Sequence, residues 1–163
     1  MQRRPFLLTT LIAASILPAL AGAAGADQVN VKHTLDVESN NGRVLVHLAV
    51  ANYGKQTIWV PREMAEGKEL TGRRFDVRGF DNRPLDYTGK MVKRAAFTAA
   101  DYQAVEPGKT LTSTIDITPS YAFKTGRHTY NIGYAGPFLA DIKALDKQDE
   151  RPARPATFIH TGK

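Results

Sequence analysis

Val29-Asn30-Val31-Lys32-His33-Thr34-Leu35-Asp36-Val37-Glu38 places polar residues at every even position and, His33 apart, apolar ones at every odd position. A period of two is the repeat of a β-strand with one face on a core and the other in water, so His33 falls on the apolar face. Ser39-Asn40-Asn41-Gly42 follows. Asn and Gly tolerate the positive φ of a tight hairpin turn, so the chain reverses here. Residues 43–52 return as a second strand, with Val44, Val46, Leu48 and Val50 on one face and Leu45, His47 and Ala49 on the other. Apolar on both sides, this strand is expected to be central in its sheet.

Outward from this hairpin the same pattern recurs, broken by turn residues every ten or so positions, and helical periodicity is hard to find. Asn52-Tyr53-Gly54-Lys55 turns into Thr57-Ile58-Trp59-Val60, which Pro61 ends because it cannot donate a ladder hydrogen bond. Trp59, the only tryptophan, is predicted to be largely buried against an opposing sheet. A polar loop over 62–72 precedes a strand around Phe75, Val77 and Gly79. Asp81-Asn82-Arg83-Pro84 then turns into a strand predicted over 85–94, and residues 97–103 hold a short helical turn. Further strands are read over 110–117 and 128–134, with a charged, exposed loop at 141–155 and an edge strand at 156–160. The fold class is all-β, an immunoglobulin-like antiparallel β-sandwich of about seven strands. The domain occupies 27–140, and 141–163 forms the polar loop and terminal edge strand.

The N-terminus has a different character. Arg3 and Arg4 precede an uncharged stretch over 5–26, apolar but interrupted by Thr9, Thr10, Ser15 and Pro18. It is too short and broken to span a bilayer and reads as a cleaved signal peptide over 1–26, with small residues before Asp27 marking the cut. Arg3-Arg4-Pro5-Phe6-Leu7 also fits the twin-arginine export pattern, and an ordinary secretory leader with two basic residues accounts for it equally well. The expected location is therefore periplasmic or extracellular, with no stable membrane insertion after cleavage. Removing 26 of the 163 residues leaves 137, enough for one domain with a real core, and lowers the net charge from +6 to +4. The signs are interleaved, with no basic run suited to nucleic acid. Zero cysteines exclude disulfides, thiolate catalysis and Cys-ligated zinc.

The search for chemistry gives mainly exclusions. His33, His47, His128 and His160 show no His-Glu-x-x-His spacing, and no Gly-x-Ser-x-Gly elbow, P-loop or dinucleotide fingerprint occurs. His33 and His47 lie on adjacent strands and would pair at a metal only by facing the same side; an inward His33 is more simply a core histidine. Glu63 and Glu66, beside Arg62 and Lys68, read as a solvated ion-pair cluster. Thus no catalytic residue, cofactor or metal site is expected. Lys90, Lys93 and Arg94, extended by Arg62, Arg73 and Arg74, are the candidate partner-binding residues. They form a basic docking edge where another chain adds a strand or sets acidic groups; lysine stems shielding a strand edge explain them as well.

Several motifs also resemble a known family when taken together. Trp59-Val60-Pro61-Arg62-Glu63, Tyr87-Thr88-Gly89-Lys90-Met91-Val92-Lys93-Arg94-Ala95, Asp101-Tyr102 and Glu106-Pro107-Gly108-Lys109-Thr110-Leu111 are the first of these. Ile115-Asp116-Ile117, Ser120-Tyr121-Ala122-Phe123 and Gly126-Arg127-His128-Thr129-Tyr130-Asn131-Ile132-Gly133-Tyr134 continue them. Over roughly 29–134 the chain resembles the β-sandwich region of the deuterolysin and peptidyl-Lys metalloendopeptidase family. The resemblance implies a sandwich that lies ahead of a catalytic domain carrying a His-Glu-x-x-His helix and a later aspartate ligand. Those positions are absent here, and the chain is expected to end before such a domain begins. The reading that follows is an exported, non-catalytic binding module whose protein partner is a secreted protease or another envelope protein, acting as an inhibitor or folding helper. A hydrolase with an unfamiliar site and a structural or ligand-binding envelope domain are the alternatives.

Overall fold

The computed structural model describes residues 29–67, 69–93 and 96–163. The expected leader over 1–26 lies outside these residues. Among the described residues the fold is all-β, with three antiparallel sheets and ten strands. β1 (Val31–Asn40) and β2 (Arg43–Asn52) form the hairpin read from the sequence. Asn40 pairs with Arg43 across a two-residue turn in which Asn41 and Gly42 have φ of 52° and 75°. β2 is central, flanked by β1 and by β6 (Thr110–Asp116). The inward files Val31, His33 and Leu35 on β1 and Val44, Val46, Leu48 and Val50 on β2 are buried.

A second sheet runs in the order β10 (Ala156–Gly162), β7 (Gly126–Tyr134), β4 (Phe75–Gly79). Phe75, Val77, Tyr130, Ile132 and Phe158 from it join the β1 and β2 files in one continuous buried cluster. The third sheet has the order β5 (Tyr102–Val105), β3 (Ile58–Pro61), β8 (Pro137–Leu139), β9 (Gln148–Glu150). The total exceeds the expected seven partly because β8 and β9 have only three residues each, too few to show a period in sequence. β9 also lies inside the expected 141–155 loop, and beyond it the Ala153 amide donates to the Tyr134 carbonyl and buries its side chain.

Three expectations are corrected. The 62–72 loop opens with a short helix, α1 (Arg62–Glu66), and its Met64 and Leu70 are core residues. Residues 85–93 form no strand; an isolated bridge from Tyr87 to Tyr121 and single hydrogen bonds, such as the Leu85 amide to the Val77 carbonyl and the Val92 amide to the Thr71 carbonyl, hold them to their neighbours. Trp59 is half-buried because Ile58 and Val60, on the other face of β3, hold the core positions. Its cross-strand neighbours are Ala104 and Leu139.

Two histidines are sealed into the sandwich. His33, 5% exposed, lies edge-on to Tyr134 at 5.7 Å, and neither ring nitrogen has a hydrogen-bond partner of good geometry. His160 is buried against Phe123 at 4.9 Å, with Nδ1 2.9 Å from Ser39 Oγ. Burial lowers both pKa values, opposed at His33 by the nearby Arg151 main chain.

Because these folded-state pKa values lie below the ordinary histidine value, the unfolded chain takes up protons first as pH falls. Stability should therefore be level above about pH 7 and decline as pH drops through about 6.5. Urea titrations from pH 8 to 5 measure this, and His33→Leu should reduce the slope. In the same assay Phe75→Ala should cost about 3–5 kcal/mol, with Trp59→Ala costing distinctly less.

Candidate functional site

A cleft of about 470 Å³ opens where α1 meets the ends of β7 and β9. Its lining includes Arg62, Arg73 and Arg74, three of the six residues singled out in the sequence. Each guanidinium is already engaged. Arg62 donates from Nε to the Ala100 carbonyl (2.8 Å) and from Nη2 to the Tyr102 carbonyl (2.9 Å), and its Nη1 reaches Gln103 and Glu66. It fastens α1 to the 3-10 turn Ala99–Asp101 and to β5. Arg74 pairs with Glu63 at 3.0 Å, and Arg73 reaches Asp76 at 3.4 Å.

Glu63 is the residue that the sequence reading missed. Its side chain is 8% exposed, so the pair with Arg74 is no solvated cluster. Oε1 accepts from the Thr71 amide (2.6 Å), while Oε2 accepts from the Thr71 hydroxyl (2.9 Å) and from Arg74 Nε and Nη2. Burial pulls this carboxyl upward, but the Thr71 amide, the Arg74 guanidinium and the Thr71 hydroxyl outweigh it and hold the pKa below its ordinary value. Nothing in the local sequence signals this, since the partners lie 8 and 11 residues away. Buried Tyr134 lies behind the pair, its phenol pushed far above the usual range by burial, with Arg74 opposing and Glu63 adding to the shift.

Lys90 and Lys93 lie outside the cleft lining. Lys90 Nζ meets Glu69 at 2.5 Å. Lys93 is exposed and makes no ion pair among the described residues. Arg94 lies outside the described residues. Between them Met91 is 76% exposed and Val92 52%. The segment is tethered rather than paired: the Tyr87 hydroxyl donates to the Lys90 carbonyl (2.9 Å), and the Val92 amide donates to the Thr71 carbonyl (3.0 Å). Phe97, further along the same segment, lines the cleft.

His33 and His47 point to opposite faces of one sheet. His47 is partly exposed, 3.0 Å from Thr114 Oγ1 and 3.4 Å from Glu38, so the two do not converge. Among the described residues no group of three His, Cys, Asp or Glu side chains is placed to hold a metal, and no helix is long and apolar enough to cross a membrane.

The structure thus defines an all-β sandwich with a braced cleft and a projecting basic segment beside it. No family model matches the chain. It is 32% identical over 149 residues to an extracellular protease of Aeromonas hydrophila, an alignment covering 91% of this chain and 41% of that protein. The chain therefore spans about two fifths of the length of the relative it matches. The similarity reaches as far as a secreted protease; it does not single out the deuterolysin family.

Removing the Glu63 charge tests the brace. Glu63→Gln should destabilise by about 1–3 kcal/mol, because a buried network loses its acceptor while Arg74 remains partly wet. Since the folded-state carboxyl titrates below its ordinary value of 4.5, its contribution is complete above that pH and fades as pH falls through the folded value. Denaturation curves of the two proteins should differ at pH 7 and converge in strong acid.

Proposed function

We propose that the chain is an exported binding module that performs no catalysis of its own and engages a secreted protease as an inhibitor or folding helper. The observation that carries this reading is the match itself: nearly all of this chain aligns with less than half of an extracellular protease. Such coverage fits a region accompanying a catalytic domain. The absence from the sequence of any familiar nucleophile or zinc motif is consistent with it. The cleft arginines are committed to structure, whereas Lys93 and the apolar side chains of Met91 and Val92 face solvent. Contact is therefore centred on residues 90–93, with Arg62, Arg73 and Arg74 shaping the neighbouring wall.

Immobilised full chain should capture an endopeptidase from the periplasm or culture fluid of its source, identified by mass spectrometry and by changed activity or folding yield on mixing. Lys90→Glu, Lys93→Glu and Arg94→Glu together should abolish capture while leaving Tm within a few degrees, because exposed charges contribute little to folding. Capture should weaken with salt, since exposed pairs are screened beyond about 8 Å at physiological ionic strength. Failure to recover any endopeptidase at several salt concentrations, or undiminished capture by the triple variant, contradicts the reading. The relative's description as a protease favours one alternative, a hydrolase with an unfamiliar site. Casein digestion that is lost on chelation, with stoichiometric zinc, would establish it instead.

A further inference from the structure

We infer that residues 88–93 are a cleavage loop for an endopeptidase specific for basic residues, cut after Lys90 or Lys93 while the flanking chain stays locked in the sandwich. The inference rests on the proposed partnership for the identity of the protease, which it specifies by class, and on the structure for the cut. Endopeptidases take substrates as extended segments, so a bond is cut where several consecutive residues are exposed and can leave their hydrogen bonds cheaply.

Lys90, Met91, Val92 and Lys93 are all exposed and belong to no strand or helix. Over residues 89–93 the main-chain bonds among the described residues are two, Val92 N to Thr71 O and the Tyr87 hydroxyl to the Lys90 carbonyl. A lysine at the cut position suits a specificity pocket that ends in a carboxylate, the device used by trypsin-like enzymes. Hydrolysis adds water across the amide: the C–N bond breaks, lysine gains a carboxylate and the following residue an amine. The visiting protease supplies the catalytic groups.

Several other exposed basic positions are tied by their own turns. Lys55 follows a turn in which Asn52 binds both the Gly54 amide and the Gln56 carbonyl. At Lys109 the amide donates to Glu106 and the carbonyl accepts from Asn52. Lys143 and Lys147 donate their amides to Asp141 and to the Ala144 carbonyl, and Arg151 donates its amide to the Gly136 carbonyl. Arg83 precedes Pro84, a poor bond for such enzymes.

Both ends of the loop are fixed. Upstream, buried Leu85 donates its amide to Val77, and Tyr87 packs against Tyr121 at 5.5 Å. Downstream, Thr98 and Asp101 form a capping box before buried Tyr102. A nicked chain therefore keeps its core contacts, the behaviour of a bait segment that a protease cuts without dissolving its carrier.

Limited digestion of the purified full chain with trypsin as the probe, followed by intact-mass analysis, tests this. Among cuts in residues 29–163, the first should fall after Lys90 or Lys93. The nicked protein should elute at the native size and separate into two fragments only in denaturant. Lys90→Gln, Lys93→Gln and Arg94→Gln together should slow cutting there by about a hundredfold or more, since the pocket's carboxylate loses its partner. First cuts elsewhere, an unchanged rate in the triple variant, or separation of the nicked chain under native conditions each overturn the inference. Because the probe is added, these results stand apart from capture of an endogenous protease: preferred nicking without capture sinks the partnership, and capture without preferred nicking sinks the loop.

Discussion

The register of β2 is the constraint on which the rest of the molecule depends. Val44, Val46, Leu48 and Val50 lie on one face of a strand paired on both sides, to β1 over its whole length and to β6 from Leu45 to Ala51. A slip of one residue would turn all four to the opposite face, losing roughly 1.5–3 kcal/mol for each. The Asn41-Gly42 turn fixes that register on one side. With no cysteine anywhere in the chain, burial against Phe75, Val77, Tyr130 and Ile132 has to hold the layers together.

Where the sheets end, hydrogen bonds complete what burial leaves open, and this defines the site. The Tyr121 hydroxyl accepts from the Phe75 amide at 3.1 Å and donates to the Phe75 carbonyl at 2.7 Å, tying residues 118–123 to the start of β4. Burial, against the pull of that backbone contact, pushes the phenol up to about 12, so it stays a neutral donor. Glu63 performs the matching task for α1, fixing Thr71 and Arg74 against it. The arginines along the cleft therefore serve first as fasteners, and the charge offered outward is displaced to the neighbouring segment.

What could be read from sequence follows from the length of each pattern. The ten-residue strands β1 and β2 carry enough alternation to fix faces, partners and the inward His33. β3 has four residues, and its apolar run of Ile58, Trp59 and Val60 leaves the parity undecided; Ile58 and Val60 take the core face and Trp59 the other. Met64 and Leu70 stand isolated among polar residues, so nothing local marks them as core. Glu63 has Arg62 beside it in sequence but is satisfied by residues across a loop, and such pairing is decided by the fold. Over 85–93 the odd positions mix apolar and charged residues. Tyr87, Gly89, Met91 and Lys93 could not have formed a buried file, and the chain there is tethered instead of paired.

That last difference changes the kind of recognition the surface can support. A strand at a sheet edge offers a fixed ladder of donors and acceptors, and a partner adds to it without altering it. A tethered segment with few main-chain bonds offers its backbone on both sides, at the small cost of releasing contacts such as Val92 to Thr71. In the proposed complex, affinity would come from side chains that enter pockets on the partner, with Lys93 exposed and Met91 and Val92 beside it. The Lys90–Glu69 pair is exposed on both sides, so it opposes such entry only weakly. The Glu63 brace anchors Thr71, whose carbonyl also accepts from the Val92 amide, so brace and tether meet at one residue.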